Sequence, residues 1–460
     1  MVLLILLNKK MKILVTGATG FAGKTLLPLL VEKGHKIIVL TRDAKTAQVR
    51  LPVACKIYEW GEDLLRNEEG IEVVINLCGE NVASGFWTKK RKQIIYDSRV
   101  VSTRNLIEFF RKNTNPIKTW ISASAIGIYE NSIIPNESSP SGRGFLAKVC
   151  KDWEEETFKV KDLGIRAVAF RIGMVLGFDG GAMDKMLPLF KLGLGGNIGD
   201  GNQWMSWIHV RDLAGLIIEA IDNVSYEGPV NAVSPNPVTN RSFTSALAEN
   251  IRRPAIFNIP TWVLKILFGE MSQILIGSQK VSSEILKKLN YKFIYPKIKG
   301  ALKNIGDQTG HTLLIEQWVP QSSKNIFEFF AYPHNLEALT PKFLKFKILK
   351  VTSTPIQEGT LLDYSLKIRG MPVRWQSKIT EYIPLIRFAD RQTRGPYCFW
   401  HHIHEFIEKD GGTIIRDRVF YKLPGWIPGD IIAYRFVRKE LEKIFLHRRE
   451  VVAELFHPEE

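Results

Sequence analysis

The fold is decided near the start of the chain by the stretch Lys12-Ile13-Leu14-Val15-Thr16-Gly17-Ala18-Thr19-Gly20-Phe21-Ala22-Gly23. Its first five residues are typical of a buried strand, and three glycines follow at the spacing of a dinucleotide-binding turn. Gly17 permits the sharp turn, Gly20 lets the backbone approach a pyrophosphate, and Gly23 lets the next helix start close to the sheet. Lys24 to Lys33 is typical of an amphipathic helix. This order of strand, turn and helix predicts a nucleotide site at the helix N-terminus.

The tip of the second expected strand decides between the two nicotinamide dinucleotides. The strand His35 to Thr41 is followed by Arg42 and Asp43. An acidic residue at the tip would bind the ribose 2′-hydroxyl of NAD, but Thr41 takes that place. The guanidinium of Arg42 is suited to a 2′-phosphate, which favours NADP(H), while Asp43 leaves NAD(H) open.

Composition predicts more than one domain and a reduced compartment. The chain has 460 residues, 45% of them hydrophobic, which is too many for one core. The net charge of +16 is spread along the chain among acidic residues, so we expect a solvated basic surface and no nucleic-acid partner. The spacing of the four cysteines fits neither a zinc site nor a secreted disulfide framework and indicates a cytoplasmic protein. These are Cys55, Cys78, Cys150 and Cys398.

The first ten residues are set apart from the fold. The apolar run Val2 to Leu7 is too short to span a membrane and lacks the flanks of an export signal. Met11 would make a natural chain start that leads directly into the first strand. Residues 1–10 are therefore expected to be an upstream extension, and whether they are native is left open.

Residues 11–305 are expected to form one α/β domain. Short β-branched runs alternate with helical patterns up to about Ile172, as in a Rossmann-type parallel sheet with crossover helices. Further strands are expected at His35–Thr41, Ile71–Cys78, Lys118–Ser124 and Ile165–Arg171. The irregular segment from Gly173 to Gly300 is expected to cap the carboxyl end of the sheet, where a substrate would bind. Within it, the apolar stretch Trp262–Leu275 is expected to be a buried helix over the substrate cleft rather than a membrane contact.

Residues 311–460 have a different pattern, which indicates a separate α+β domain. A strand and a helical stretch are followed by several long alternating strands and by an amphipathic helix from about Asp430 to Leu455. The expected elements are the helix Ser322–Phe330 and the strands Leu313–Val319, Phe346–Val351, Thr360–Ile368, Val373–Tyr382, Tyr397–Glu408 and Gly412–Leu423.

Several motifs, taken in order, resemble those of a known family. They are the glycine turn, Asn76 to Glu80, Phe86-Trp87-Thr88, Ser98-Arg99, Ser122 to Tyr129, Asp152-Trp153-Glu154, Arg171-Ile172-Gly173, Trp207 to Asp212 and the region Tyr291 to Pro296. Over residues 11–305 the chain resembles the atypical extended short-chain dehydrogenase/reductases, also described as epimerase-family or nucleoside-diphosphate-sugar-epimerase-like proteins. This resemblance implies an NAD-dependent epimerase/dehydratase type of fold and a set of site residues. The implied cofactor contacts are Gly17, Thr19, Gly20, Phe21, Ala22, Gly23, Arg42, Leu77, Gly79, Ser122 and Lys148, and the implied substrate contacts are Glu80 and His209.

From Thr312 onward the chain looks like a helix-grip domain of the START and polyketide-cyclase superfamily (SRPBCC). The residues that carry this likeness are Gly395-Pro396-Tyr397, Trp400, His402 and Gly411-Gly412-Thr413. Such domains wrap an antiparallel sheet around a long C-terminal helix and leave an apolar cavity. The resemblance therefore implies an apolar ligand for this domain.

The usual catalytic pair of short-chain dehydrogenases is absent after the sheet strand that should carry it. The one formal match, Tyr295 with Lys299, lies far beyond that strand and contains Pro296, which indicates a chance match. Ordinary members use a tyrosine whose pKa is lowered by a lysine four residues later. Here Tyr129 is followed four residues later by Ile133, and Lys148 has no tyrosine four residues before it. Ser124 and Tyr129 remain as catalytic candidates that would hydrogen-bond a carbonyl. Positioning of cofactor or substrate is the favoured alternative, because an unassisted tyrosine has a pKa near 10.

Three histidines are also weighed. His209 lies in a segment that closes over the substrate in extended family members, although a lone histidine more often has a structural role. His402 and His404 share one face of a strand, a spacing compatible with two metal ligands. No third ligand has a convincing spacing, so lining of a core or cavity is favoured and no metal is predicted.

The sequence thus predicts an NADP(H)-dependent oxidoreductase or epimerase-like protein with an appended ligand-binding domain. Its substrate is expected to be small, and apolar substrates are among the candidates. The alternative is an NADP(H)-dependent sensor or binding protein without turnover. No integral membrane association is expected. The sequence does not identify the substrate. The oligomeric state is also left open, and a dimer is one option.

Overall fold

The structure is a computed structural model that describes residues 10–456 except 52, 54, 62–67, 113–115, 131–133, 179, 309, 369 and 424–426; the side chains of residues 49, 308, 427–433 and 435 are not described either. The extension expected at residues 1–10 lies, apart from Lys10, outside this part. The chain divides between Gly306 and Asp307 into an N-terminal unit and a C-terminal unit.

A seven-stranded parallel sheet forms the centre of the N-terminal unit. Its strand order is β11-β6-β5-β4-β1-β2-β3, and every neighbouring pair runs parallel. These strands are β1 (Lys12–Thr16), β2 (Lys36–Thr41), β3 (Lys56–Glu59), β4 (Ile71–Asn76), β5 (Thr119–Ala125), β6 (Arg166–Ile172) and β11 (Gly228–Ala232). The predicted Rossmann-type sheet is confirmed, and β1 lies between β2 and β4, where the strand order reverses.

Helices cover this sheet, and short strands shape the loops beyond it. The helices are α1 (Phe21–Glu32), α2 (Ala44–Arg50), α3 (Lys89–Tyr96), α4 (Ser102–Lys112), α5 (Phe145–Phe158), α6 (Met183–Lys191), α7 (Val210–Asp222), α8 (Asn240–Ile251), α9 (Thr261–Phe268), α10 (Gln273–Ile276), α11 (Glu284–Lys288) and α12 (Ile298–Gln308). The short strands are β7 (Met174–Leu176), β8 (Gly196–Ile198), β9 (Trp204–Met205), β10 (Trp207–His209), β12 (Val238–Thr239) and β13 (Phe257–Ile259). In the core, Leu14 and Trp120 of the sheet pack with Leu106 and Phe110 of α4 because both elements present an apolar face.

The expectation of a buried helix at Trp262–Leu275 is wrong. The segment forms α9 and α10, but Trp262, Ile266 and Leu267 are exposed, with Ile266 at 72%. Of the residues of α9, Leu264 is buried. The apolar residues of α9 surround the whole helix, but only one of its faces packs against the rest of the unit. Most of its apolar surface is therefore exposed. No helix in the described part of the chain has the length and apolar character needed to cross a membrane.

The C-terminal unit is built on a separate antiparallel sheet. Its order is β14-β20-β19-β18-β17-β16-β15, formed by β14 (His311–Val319), β15 (Lys347–Val351), β16 (Leu361–Ile368), β17 (Met371–Ile383), β18 (Arg387–Arg394), β19 (Phe399–Lys409) and β20 (Gly412–Lys422). The helices are α13 (Ser323–Ala331), α14 (Asn335–Ala338) and α15 (Ile427–Leu455). Leu441 and Phe445 of α15 pack with Val419 and Tyr421 of β20. The long helix therefore covers an apolar face of the sheet.

Candidate functional site

The glycine turn between β1 and α1 has no room for side chains. Gly17 has a φ of 68°, and a Cβ there would lie 2.5 Å from the carbonyl carbon of Leu77. A Cβ at Gly23 would lie 2.5 Å from the carbonyl oxygen of Ala18. Gly20 caps α1 without a side-chain hydrogen bond, so the first amides of the helix keep no side-chain partner there. The turn thus fits a pyrophosphate at a helix N-terminus, as its glycines predict.

The other residues expected at this turn lie around it in different ways. Thr19 and Ala22 are half-buried, and Gly20 is exposed. The ring of Phe21 fills the space beside Gly177, Gly180 and Gly181, where a Cβ at Gly180 would clash with it. Phe21 can therefore offer a phosphate its backbone, while its side chain packs against a neighbouring loop.

Arg42 and Glu80 lie side by side at the tip of β2. The side chain of Arg42 is 81% exposed, and its Nη1 lies 3.6 Å from Glu80 Oε2. Glu80 Oε1 also lies 3.3 Å from Arg91 Nη2. Asp43 is the residue that left NAD(H) as an alternative cofactor. It accepts a hydrogen bond from the Thr46 amide (2.9 Å) and caps α2. An exposed guanidinium with a weak partner is free to take a 2′-phosphate.

The loop after β4 supplies two further expected cofactor contacts. The amide of Leu77 donates to the Thr16 carbonyl at 3.2 Å, which holds the loop beside the glycine turn. Gly79 is exposed, and a Cβ there would lie 3.0 Å from the Arg99 guanidinium. The loop therefore lies close to β1 with little side-chain bulk at Gly79.

Ser124 and Tyr129 belong to one buried network that sequence reasoning did not predict. Ser124 Oγ donates to Glu154 Oε1 at 2.6 Å. Glu154 forms a two-pronged ion pair with Arg171, with Nε–Oε1 of 2.9 Å and Nη2–Oε2 of 2.8 Å. Arg171 Nη1 donates to the Tyr129 hydroxyl at 2.8 Å, and that hydroxyl donates to Asn231 Oδ1 at 2.7 Å. Both candidate hydroxyls are thus connected through Glu154 and Arg171.

Burial favours the protonated form of Tyr129. Burial raises the pKa of Tyr129, although the hydrogen bond from Arg171 opposes the shift. Tyr129 and Ser124 are 4% and 3% exposed. A buried phenol with a raised pKa is a proton or hydrogen-bond donor, and it is poorly suited to act as a base at neutral pH.

The remaining expected residues have partners of their own. Ser122 is fully buried on β5, and its hydroxyl donates to the Ala123 carbonyl. Lys148 Nζ lies 2.7 Å from Asp152 Oδ2 in an exposed ion pair. His209 is buried, and its Nδ1 accepts from the Arg211 amide at 3.3 Å, which caps α7. These positions give Lys148 and His209 local roles, and their assignment to cofactor and substrate stays a prediction.

The C-terminal unit encloses a cavity of about 450 Å³. Its lining is largely aromatic and aliphatic, and one part is polar. The aromatic lining includes Phe346, Tyr364, Trp375, Phe388, Tyr397 and Trp400, and the polar lining includes Ser377, Asp390, His402, His404 and Arg448. A mainly apolar cavity with a few converging polar groups is typical of a small-molecule site.

Four titratable groups lie together on three neighbouring strands at the polar part of the cavity. Asp390 of β18 is paired with His402 of β19, and His404 is paired with Asp417 of β20. Burial lowers the pKa of His402 to about 4 and lowers the pKa of His404. Burial also raises the pKa of Asp390. Both imidazoles are therefore neutral at neutral pH.

Comparison with known proteins places the N-terminal unit in a family. Residues 13–233 match the model of the NAD dependent epimerase/dehydratase family, and residues 259–305 match a domain of unknown function, DUF1731. The chain is 37% identical over 312 residues to the chloroplastic epimerase family protein SDR39U1 homolog of Arabidopsis thaliana, covering 87% of that protein and 65% of this chain. The chain belongs to the epimerase family. It is also 34% identical to the epimerase family protein YfhF of Bacillus subtilis, covering 98% of that protein and 64% of this chain.

Solved structures of epimerase-family members have the same fold as the N-terminal unit. Human SDR39U1, solved with NADPH, is 30% identical with a TM-score of 0.58; the match covers 65% of this chain and 99% of that one. A nucleoside-diphosphate sugar epimerase of Corynebacterium glutamicum is 34% identical with a TM-score of 0.52, over 65% of this chain and 59% of that one. These matches agree with the resemblance found in the sequence motifs.

Proposed function

We propose that this chain is an NADP(H)-dependent oxidoreductase or epimerase-like enzyme for a small substrate, with a START-like domain at residues 311–460 that binds an apolar or amphipathic molecule. The observation that carries the cofactor assignment is the exposed guanidinium of Arg42 beside the tight turn at Gly17–Gly23. The NADPH in the human relative supports it. The free cysteines and the lack of a membrane-spanning helix among the described residues are compatible with a cytoplasmic protein.

The residues around the turn fit the cofactor. Backbone at Gly17 and Gly20 would face the pyrophosphate, and Arg42 would hold the 2′-phosphate in place of its present partner, Glu80. When bound, NADPH supplies a hydride. The chain's own contribution is to orient the substrate and to donate hydrogen bonds, for which Ser124 and Tyr129 are the candidates.

A second candidate function is a cofactor-dependent sensor without turnover. It is favoured by the burial of both candidate hydroxyls and by their pairing with Glu154 and Asn231. In a sensor, the network would only hold β5, α5 and β6 together. In an enzyme, Tyr129 must reach the substrate, so the network has to open when substrate binds.

Titration calorimetry with NADPH and NADH tests the cofactor assignment. NADPH should bind more tightly, and Arg42→Ala should weaken it roughly ten- to a hundredfold, because a charge-assisted contact to the 2′-phosphate is lost. NADH binding should not change. Arg50→Ala, at another exposed arginine nearby, is the matched control and should bind NADPH as the unmodified chain does. Equal affinities of the unmodified chain for both dinucleotides would contradict the assignment.

A carbonyl library assayed with NADPH separates enzyme from sensor. Tyr129→Phe and Ser124→Ala should reduce any turnover more than Lys148→Ala, because Lys148 is exposed and paired with Asp152. If Lys148→Ala is as inactive as Tyr129→Phe, the catalytic assignment is wrong. If no substrate is turned over although NADPH binds, the sensor is the better description.

Binding of a fluorescent fatty acid by the full chain tests the cavity. Saturable, competable binding is expected, and Leu366→Trp should reduce it, because Leu366 lines the cavity and tryptophan would fill part of it. Leu349→Trp is the control, since Leu349 is exposed on β15 of the same sheet. If the unmodified chain melts cooperatively but does not bind any lipid-like or polyketide-like probe, the ligand assignment is wrong.

A further inference from the structure

Two histidines and a carboxylate converge at the polar part of the cavity. His402 and His404 are two residues apart on β19 and therefore point to the same face of the sheet. Asp390 Oδ1 lies 3.7 Å from His402 Nδ1 and 4.0 Å from His404 Nε2. Each residue offers one ligand atom, and these three atoms lie within 4.8 Å of one another. Two donors bound at about 2.1 Å to one tetrahedral ion lie about 3.4 Å apart. The two distances from Asp390 are close to this value, so side-chain adjustments on the order of an ångström or less would bring the ligands together.

A second carboxylate, Asp417, hydrogen-bonds to the imidazole of His402 and lies close to that of His404. Asp417 Oδ1 lies 2.9 Å from His402 Nε2 and 2.8 Å from His404 Nδ1. A neutral imidazole carries one N–H, and Asp417 favours that proton on the nitrogen that faces it. The lone pair of His402 Nδ1 then faces Asp390, and Nε2 is the His404 nitrogen on the Asp390 side. Carboxylates orient metal-binding histidines in the same way in many proteins.

The charges around the cluster favour a cation. Arg448 Nη1 lies 3.3 Å from Asp417 Oδ1, so one guanidinium accompanies the two carboxylates. Ser377 Oγ donates to Asp390 Oδ2 at 3.0 Å, which leaves Asp390 Oδ1 directed at the histidines. The cluster therefore places two carboxyl groups and one guanidinium together in a buried position. A buried carboxylate is costly unless a cation accompanies it.

We propose that Asp390, His402 and His404 bind a divalent first-row transition metal ion such as Zn²⁺ or Fe²⁺. Two imidazoles and one carboxylate form a ligand set that suits these ions. Three protein ligands leave coordination positions open, and all three residues line the cavity. The site is independent of the proposed cavity ligand, because the metal alone would bind to side chains that are already in place.

Metal titration of the full, untagged chain tests the proposal. After treatment with a chelator, the chain is titrated with Co²⁺, followed by its visible absorption, and with Zn²⁺ in competition with a chromogenic chelator. One ion per chain is expected. Asp390→Asn and His402→Gln should each weaken binding by more than the ten- to hundredfold loss expected for Asp417→Asn, which only orients the ligands.

His401→Gln is the matched control, because His401 is the neighbour of His402 on β19 and points to the opposite face. It should bind the metal as the unmodified chain does. Binding that survives in Asp390→Asn and His402→Gln, or a Co²⁺-treated unmodified chain without new visible bands, overturns the proposal. The latter readout needs no variant and holds even if a variant misfolds. A chain that binds metal but no fatty-acid probe contradicts only the cavity ligand.

Discussion

At the scale of single residues, the ion pair between Arg171 and Glu154 determines what Ser124 and Tyr129 can do. Both side chains of the pair are less than a tenth exposed, at 8% and 7%. Arg171 also supplies a hydrogen bond to Tyr129, and Glu154 accepts one from Ser124. Removing either partner would leave a buried charge without compensation.

Arg171→Gln is therefore expected to destabilise the N-terminal unit by about 3 to 5 kcal/mol, as for other broken buried pairs. The free energy of unfolding in urea measures the effect. Lys288→Gln serves as the control, because Lys288 and Glu284 form an exposed pair, and the expected loss is at most about 0.5 kcal/mol. Similar small losses for both variants would show that Arg171 does not stabilise the network.

Sequence reasoning named Ser124 and Tyr129 but missed their partners. Glu154 and Arg171 stood in motifs that were recognised, yet no local rule pairs two residues on α5 and β6. Their contact depends on how the helix packs on the sheet. By contrast, the roles of Gly17 and Gly23 could be predicted, because a turn after a strand imposes local limits on backbone and space.

At the scale of elements, His209 couples the start of α7 to pH. Burial lowers the pKa of His209 to about 4, below the value of about 6.5 expected in the unfolded chain. Between these values the unfolded state binds the proton and the folded state does not. Stability conferred by neutral His209 is thus complete above about pH 6.5 and is lost as pH falls toward 4.

Unfolding in urea at several pH values should show this loss, on the order of a few kcal/mol. His209→Asn retains a side-chain acceptor for the helix cap and removes the titrating group. The variant should therefore show a flatter pH dependence between pH 4 and 6.5. If its pH dependence matches that of the unmodified chain, His209 is not the group responsible.

Helix α9 offers a comparison within one element. Leu264→Ala should cost about 2 to 4 kcal/mol, because Leu264 is 6% exposed and packs inward. Ile266→Ala should change the unfolding free energy by less than about 0.5 kcal/mol, because Ile266 is 72% exposed. Equal losses in urea unfolding would mean that the outer face of α9 is covered in solution.

The missed strand β18 explains why a third metal ligand went unnoticed. The sequence Arg387-Phe388-Ala389-Asp390-Arg391-Gln392-Thr393-Arg394 is rich in charge and lacks the regular alternation of β19 and β20. Its pattern therefore does not predict a strand. Asp390 lies on this strand opposite His402, so its place beside the histidines follows from pairing between strands and not from spacing along one.

At the scale of the whole molecule, the boundary between the two units agrees with the matches to known proteins. Those matches cover 64 to 65% of this chain. A chain truncated after Gln308, at the end of α12, is expected to fold and to bind NADPH with unchanged affinity. Calorimetry and a thermal melt check this. A truncated chain that is folded but binds NADPH tenfold more weakly would show that the cofactor site needs the C-terminal unit.

The position of β14 in its sheet has a consequence for synthesis on the ribosome. β14 is the first strand of the C-terminal unit to be made, yet it pairs with β20, and His311 meets Tyr421 across that pair. The strand therefore remains unpaired, with Leu313 exposed to solvent, until nearly the whole unit has been translated. The N-terminal unit has all its strands by then and folds while the chain is still growing, whereas the antiparallel sheet closes only near release. Chaperone binding during translation should concentrate on this interval.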